Sequence, residues 1–182
     1  MSLMLRKIKY DDLVTIMDWR MAPQVTQYMY TDPELTMEKQ LDWYGKVEAS
    51  LTDMYWLIVM DDTPIGVLNL TEIDAKNQRC SWAYYIGDTS FRGRGIAKNL
   101  EYNIYDYVFE VLKLNKLSCE VFTNNERVIL LHEKMGSRVE GVFEQHIYKN
   151  GQFYDIVKMG ITAHRWREIK LELDYEKIII EN

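Results

Sequence analysis

The alternation of apolar and polar positions predicts a short strand and two helices in the first third of the chain. The strand covers residues 4–9. The first helix runs from a cap at Asp11 to a stop before Pro23, and the second begins at a cap on Thr36. The intervening Met21–Leu35 is a loop long enough to be functional. The apolar residues at helical spacing are Leu13, Ile16 and Met17 in the first helix, and Leu41, Tyr44, Val47 and Leu51 in the second.

Strands dominate the next stretch of the chain. Residues 55–60 form a continuous apolar run and are predicted to be a strand. A turn at residues 61–64 leads to a second strand over residues 65–73, and a polar turn leads to a third over residues 80–86. Short strands joined by tight turns pair with their neighbours, so this spacing predicts an antiparallel meander of three strands.

The second half predicts a helix, a strand, a further helix and a hairpin. An alternating strand covers residues 116–122, a helix capped at Asn124-Asn125 ends at Gly136, and Asn150-Gly151 joins strands 139–149 and 152–161. The order is strand, two helices, three strands, helix, strand, helix and two strands. It predicts an α+β fold with a mostly antiparallel central sheet flanked by helices.

The length of 182 residues fits one domain over 1–182. The segment 163–182 mixes charges with three consecutive isoleucines. It could be a helix that docks on the domain, a helix that pairs subunits into a homodimer, or a loose tail.

Composition narrows the classes of partner. A net charge of −6 disfavours nucleic acid, and no apolar run reaches the roughly 20 residues of a membrane span. Cys80 and Cys119 lie in apolar strands and have no neighbouring ligand at metal spacing, so we expect buried free thiols, no metal site and a cytoplasmic location.

The most informative stretch is the glycine loop, Arg92-Gly93-Arg94-Gly95, which follows Tyr85-Ile86-Gly87 and leads through Ile96-Ala97 into a helix. Glycines let backbone N–H groups converge on one point, and the helix N-terminus adds the positive end of its dipole. Together these features suit a pyrophosphate. The Gly-Lys-Ser/Thr ending of a P-loop is absent, and the loop does not open a parallel βαβ unit, which leaves a plain glycine turn as the alternative.

A second block lies further along the chain. Asn125 opens a helix, His132 follows seven residues later, and Lys134-Met135-Gly136-Ser137 closes it. The two blocks and the order of elements over residues 4–162 resemble the GNAT acetyltransferase superfamily, whose cofactor loop reads Arg/Gln-x-x-Gly-x-Gly/Ala. Two departures stand out, because His132 takes the place of the family's tyrosine and Ser137 that of its phenylalanine.

The resemblance implies an N-acetyltransferase that uses acetyl-CoA as co-substrate. The cofactor would lie where the strand ending at Ile86 splays from the strand starting near Leu117. His132 would protonate the departing CoA thiolate, or would only pack against its neighbours, and Asn125 would contact the cofactor or only cap its helix. The implied cofactor-binding residues are Tyr85, Ile86, Gly87, Arg92, Gly93, Arg94, Gly95, Ile96, Ala97, Asn125 and Lys134.

The acceptor is expected to be a small-molecule amine. Trp19, Arg20 and Trp43, with the closing segment 151–155, are similar to the branch that acts on nucleotide-linked amino sugars in pseudaminic acid synthesis, which favours a 4-amino sugar. Arg20 could pair with a phosphate, the two tryptophans could stack on the substrate or pack in the core, and Glu72 is a candidate base. Ribosomal-protein N-termini, polyamines, aminoglycosides and a non-catalytic CoA sensor are the alternatives.

Overall fold

A computed structural model describes residues 2–182 of the chain. The predicted order of strands and helices is confirmed, with a short extra helix after the first one and an extra strand near the end. The strands are β1 (Leu3–Lys7), β2 (Met54–Met60), β3 (Thr63–Asp74), β4 (Arg79–Ile86), β5 (Lys116–Phe122), β6 (Arg138–Lys149), β7 (Gln152–Thr162) and β8 (Ile179–Ile180). The helices are α1 (Leu13–Met21), α2 (Pro23–Thr26), α3 (Met37–Ala49), α4 (Ile96–Asp106), α5 (Glu126–Lys134) and α6 (Ala163–Lys170).

The eight strands form one mixed sheet in the order β6-β7-β5-β4-β3-β2-β1-β8. The pairs β1–β2, β2–β3, β5–β7 and β6–β7 are antiparallel, whereas β1–β8 and β4–β5 are parallel. β5 pairs with β7 from Lys116 to Phe122, but its ladder with β4 comprises only the first three residues, Lys116 to Ser118. The parallel ladder therefore covers fewer than half of the residues of β5.

Backbone contacts divide the chain into two compact units. The first holds the residues up to Thr71 together with Ala83–Ile96 and Ile178–Asn182. Its core packs α1 against β1, β2 and β3, because the helical and alternating spacings bring their apolar residues to one side. The buried members of this cluster are Ile8, Leu13, Ile16, Leu57, Val59 and Val67.

The second unit holds Glu72–Trp82 and Ala97–Lys177. An aromatic cluster dominates its core, with Tyr105 and Trp166 fully buried at a centroid distance of 5.3 Å. α4 continues into a π-helical turn at Tyr107–Val111, and the hairpin β6–β7 turns through Asn150 and Gly151 at φ of 51° and 81°. These left-handed angles confirm the two-residue turn that the sequence predicted.

The predicted helix caps had different outcomes. Thr36 caps α3, because its hydroxyl oxygen accepts from the backbone N–H of Lys39 at 3.3 Å. The cap at Asp11 was wrong: this residue lies in a 3₁₀ turn, Tyr10–Asp12, and the neighbouring Asp12 accepts from the backbone N–H of Lys9 at 2.7 Å. Asn125 lies at the N-cap position of α5, as predicted, but its side chain makes no capping hydrogen bond.

The C-terminal segment is docked rather than loose. In the second unit, Trp166 of α6 donates to Asp106 at 3.1 Å and the Tyr175 hydroxyl donates to the same carboxylate at 2.6 Å. In the first unit, β8 extends the sheet beside β1, and the indole N–H of Trp56 donates to the carbonyl of Glu181 at 2.7 Å. A docked helix was one of the three alternatives that the sequence left open for this segment. β8 was not predicted, because two residues give no period to detect.

Candidate active site

Backbone conformation defines the glycine loop. Gly93 and Gly95 have φ of +80° and +76°, and a Cβ at either position would meet nothing within 4 Å. Glycine is therefore required for its left-handed conformation rather than for space. Such residues turn successive N–H groups toward one side, which is the geometry that cradles a phosphate.

The two arginines of the loop have different surroundings. The guanidinium of Arg92 donates to the backbone carbonyls of Gln24 at 3.1 Å and Ile86 at 3.0 Å. Arg92 thereby ties the loop to α2 and to the end of β4. Arg94 lies over the ring of Phe91, with 4.7 Å between Cζ and the centroid, and is exposed. Arg94 is the better placed of the two to meet a ligand phosphate.

The helix that follows completes the cradle. Ile96 and Ala97 are the first two residues of α4, whose opening backbone N–H groups have no partner within the helix. With two left-handed glycines and Arg94, they present donors and positive charge and no carboxylate. These residues fit the pyrophosphate of acetyl-CoA.

At the end of β4, glycine is required for space. A Cβ on Gly87 would come within 2.2 Å of the Trp19 ring, so this indole lies directly against the backbone. The N–H of Gly87 donates to the carbonyl of Ile65 at 2.8 Å. The amide of Gly87 is therefore already paired within the protein.

The predicted acceptor residues lie in the first unit. Trp19 and Trp43 pack against its core cluster, and the rings of Trp43 and Tyr55 meet edge to face at 5.5 Å. The guanidinium of Arg20 contacts the sulfur of Met29 at 3.0 Å. Within residues 2–182, Arg20 forms no ion pair.

Tyr85 adds a buried hydroxyl to the same unit. Its oxygen is inaccessible and has no hydrogen-bond partner among the described residues. Burial raises the pKa of Tyr85 well above its ordinary value, and the charge of Arg20 opposes the shift. The hydroxyl therefore remains neutral and can donate one hydrogen bond.

In the second unit, His132 is the centre of a buried polar network, which we call the His132 cluster and define as His132, Glu101, Tyr105 and Ser137. The ring Nδ1 of His132 lies 3.0 and 3.1 Å from the two carboxylate oxygens of Glu101. The Tyr105 hydroxyl donates to Glu101 at 3.1 Å and lies 3.2 Å from the Ser137 hydroxyl. Trp82 covers the imidazole edge to face at 5.5 Å.

The surroundings of His132 decide its charge. Desolvation lowers its pKa, but hydrogen bonds with Cys119 and Glu101 and the charge of Glu101 outweigh that effect and raise the pKa to about 10. His132 is therefore an imidazolium at neutral pH, although it is only 5% exposed. Both cysteines are buried and free, and burial raises the pKa of Cys80 to about 12.

The remaining predicted residues of this unit are more exposed. Glu72 has a left-handed φ of 53° and accepts from the Ser81 hydroxyl at 2.9 Å. Lys134 is exposed in the last turn of α5. The backbone carbonyl of Asn125 accepts from the backbone N–H groups of Val128 and Ile129, and its side chain makes no capping hydrogen bond.

Comparison with a family model assigns the chain. The model for the acetyltransferase (GNAT) domain matches residues 2–138. The chain belongs to the GNAT acetyltransferase family. It is accordingly an acetyl-CoA-dependent N-acetyltransferase that acts on amines, as the sequence predicted.

Three members of the family with known names are similar to this acetyltransferase along most of its length. The spermidine N(1)-acetyltransferase of Escherichia coli K12 is 27% identical over 91% of this chain and 88% of its own length. The acetyltransferase PseH of Campylobacter jejuni is 27% identical over 70% of this chain and 78% of its own length. The spermidine N-acetyltransferase of Vibrio cholerae, solved with CoA and spermine, superposes with a TM-score of 0.86 at 23% identity, over 91% of this chain and 98% of the other.

Sequence reasoning missed Glu101 and Tyr105. A signal was present, because Glu101 lies on the apolar stripe of α4 between Ala97 and Tyr105 at spacings of four residues. A carboxylate on such a stripe must be paired when it is buried. Nothing in the local sequence indicates that its partner is His132, which lies 31 residues away.

Residues 2–182 contain no group of three or more His, Cys, Asp or Glu side chains arranged to hold a metal ion. None of the helices in that range has the length and hydropathy needed to cross a membrane.

Proposed function

We propose that this acetyltransferase transfers the acetyl group of acetyl-CoA to a primary amine of a polyamine. The observation that carries the proposal is the extent of its similarity to the spermidine N(1)-acetyltransferase of Escherichia coli, which covers 91% of this chain. The similarity to the acetyltransferase PseH covers 70% at the same identity.

Charge supports a cationic acceptor. The chain carries a net charge of −6, which attracts polycations over several ångströms. In the first unit, four exposed carboxylates follow the α1–α2 segment, and Lys39 is the one cation among them. These carboxylates are Asp32, Glu34, Glu38 and Asp42.

The reaction follows from positioning and proton movement. The neutral amine attacks the thioester carbon, the C–N bond forms, the C–S bond breaks, and the amine loses one proton. Alignment of the two reactants supplies much of the acceleration, and backbone donors near Tyr85 and Ile86 would polarise the thioester carbonyl. Glu72 is the proposed acceptor of the amine proton, directly or through water.

His132 is the proposed general acid. Its imidazolium gives one proton to the thiolate sulfur of CoA, so an N–H bond breaks as the S–H bond forms. Asn125, whose side chain makes no cap, is proposed to hold the cofactor beside it.

A nucleotide-linked 4-amino sugar is the second candidate acceptor, and Arg20 favours it. Its guanidinium meets a thioether rather than a carboxylate, and a substrate diphosphate would give it a bidentate partner.

A substitution at Arg20 separates the two candidates. Wild type and Arg20→Gln are compared with spermidine, a UDP-linked 4-amino sugar, an aminoglycoside and an N-terminal peptide, with CoA release followed and products weighed. A polyamine enzyme prefers spermidine and keeps its kcat/KM within about threefold in Arg20→Gln. An amino-sugar enzyme prefers the nucleotide sugar and loses about a hundredfold, the effect of an unpaired diphosphate. Acetyl-CoA binding without acetylation of any amine would favour the sensor.

The cytoplasmic location and the homodimer remain predictions. Acetyl-CoA as co-substrate and two buried free thiols support the first. Sedimentation of the purified chain tests the second.

A further inference from the structure

The two places where this chain departs from the family motif meet in one network. His132 stands where the family has tyrosine, and Ser137 stands where it has phenylalanine. The structure joins them through Glu101 and Tyr105, by contacts of 3.0 Å, 3.1 Å and 3.2 Å, and the backbone N–H of Ser137 donates to the carbonyl of His132 at 3.0 Å. Both polar replacements are therefore hydrogen-bonded to side chains of α4.

Glu101 has no access to solvent, with 0% exposure. Its carboxylate is fixed from two sides, by the imidazole Nδ1 and by the Tyr105 hydroxyl. A buried carboxylate needs a positive partner, and His132 is the cation beside it. The titratable groups that face the imidazole are Glu101 and Tyr105 from α4 and Cys119 from β5, whereas Trp82 of β4 brings no charge.

We propose that Glu101 is a positioning residue that holds His132 as an imidazolium, so that His132 can serve in place of the family's tyrosine. The proposal rests on the proposed function, in which His132 protonates the CoA thiolate. Glu101 takes the Nδ1 proton in a hydrogen bond, which leaves the Nε2 proton as the one that is given to sulfur. After CoA leaves, water that enters its place returns a proton to Nε2, and the proton lost by the amine balances the one gained by sulfur.

The strength of the resulting acid explains why the replacement works. An isolated histidine has a pKa of about 6.5 and is mostly neutral at pH 7.5, whereas a tyrosine has a pKa of about 10 and keeps its proton. Against the desolvation that lowers it, hydrogen bonds with Cys119 and Glu101 and the charge of Glu101 raise the pKa of His132 to about 10, so the ring keeps its proton at pH 7.5. Glu101, as the carboxylate of the buried ion pair, supplies the negative charge that keeps this histidine protonated.

The first test is an NMR titration of the ring signals of the three histidines in the free enzyme. His146 and His164 are exposed and serve as internal references. In wild type, His132 keeps the shifts of an imidazolium from about pH 6 to about pH 9. In Glu101→Gln, His132 titrates within that range. A wild-type His132 whose ring signals move to those of the neutral imidazole between about pH 6 and about pH 9 would overturn the proposal.

The second test is the pH dependence of kcat, expressed as the ratio of Glu101→Gln to wild type so that ionisation of the amine cancels. The ratio is expected to fall by about fiftyfold between about pH 6.5 and about pH 8.5, because a histidine with a pKa of about 6.5 is half protonated at the lower pH and about 1% protonated at the higher one. A ratio that does not change with pH would refute the role of Glu101. In the His132→Tyr background the same ratio stays constant, because a phenol keeps its proton without a carboxylate.

Two controls keep the outcomes separate. If Glu101→Gln does not fold, Glu101→Asp keeps the charge with a shorter reach, and the wild-type titration needs no variant. If wild type acetylates no amine, the proposed function fails, while the titration still decides whether Glu101 sets the protonation of His132.

Discussion

The glycine loop presents backbone groups to a ligand, whereas the His132 cluster keeps its side chains away from solvent. Gly93 and Gly95 hold left-handed angles with open space around them, so the loop can change shape at little cost in packing. His132 and Glu101 are 5% and 0% exposed, and they form a buried ion pair in which each charge stabilises the other. We therefore expect substitutions in the loop to change cofactor affinity, and substitutions in the cluster to change stability and proton transfer.

The largest expected effect is on stability and comes from Glu101→Ala. Removing the carboxylate leaves the imidazole of His132 buried without its ion-pair partner, which costs about 3–5 kcal/mol of unfolding free energy. Urea unfolding measures the change. Glu168→Ala is the matched control, because it removes the carboxylate of an exposed His164–Glu168 pair and should cost less than about 0.5 kcal/mol. Equal losses from the two variants would mean that burial does not distinguish the pairs.

The pH dependence of stability is the next expected effect. The folded pKa of His132, about 10, is raised above its unfolded value of 6.5, so its contribution is complete below pH 6.5 and is lost as the pH rises through about 10. Between these limits the unfolding free energy of wild type should approach that of His132→Asn by up to about 1.4 kcal/mol per pH unit. Urea titrations of both proteins measure this difference. A difference that is constant from pH 6.5 to pH 10 would contradict the charged pair.

The third expected effect is on stability and concerns a glycine that is required because a side chain would not fit. In Gly87→Ala the new Cβ would lie 2.2 Å from the Trp19 ring, which costs about 1–3 kcal/mol of unfolding free energy through overpacking. Gly45→Ala is the control: it lies within α3 with nothing within 4 Å, so alanine should stabilise the protein by about 0.5–1 kcal/mol. Thermal melting of the two variants measures both changes, a lower melting temperature for Gly87→Ala and a higher one for Gly45→Ala. A Gly87→Ala variant with a raised melting temperature would show that Trp19 moves freely.

The smallest expected effect on stability, with a clear effect on binding, comes from Gly95→Ala. A left-handed φ of +76° strains alanine by about 1 kcal/mol and favours another loop shape. The KM for acetyl-CoA should rise by about five- to tenfold, while the melting temperature changes by only a few degrees. A variant that loses stability but keeps its KM would place the loop outside the cofactor site.

The same contrast explains which features the sequence could predict. The glycine loop, the turn at Asn150-Gly151 and the order of elements depend on local conformation and period, which neighbouring residues encode. The pairing of His132 with Glu101 depends on how α5 packs beside α4, and two residues 31 positions apart carry no local trace of it. The cap at Asp11 was wrong because a cap depends on where the helix begins, and α1 begins after a 3₁₀ turn. The position of Asn125 before α5 was right, but its side chain makes no capping hydrogen bond.

The measurement that tests the central claim most directly is turnover of acetyl-CoA with spermidine by the wild-type chain, with released CoA and the mass of the product measured together. The account predicts one acetyl group added to spermidine for each CoA released, and no release without an amine. Release of CoA without an acetylated amine, or binding of acetyl-CoA with no transfer to spermidine or to any other amine, would contradict it.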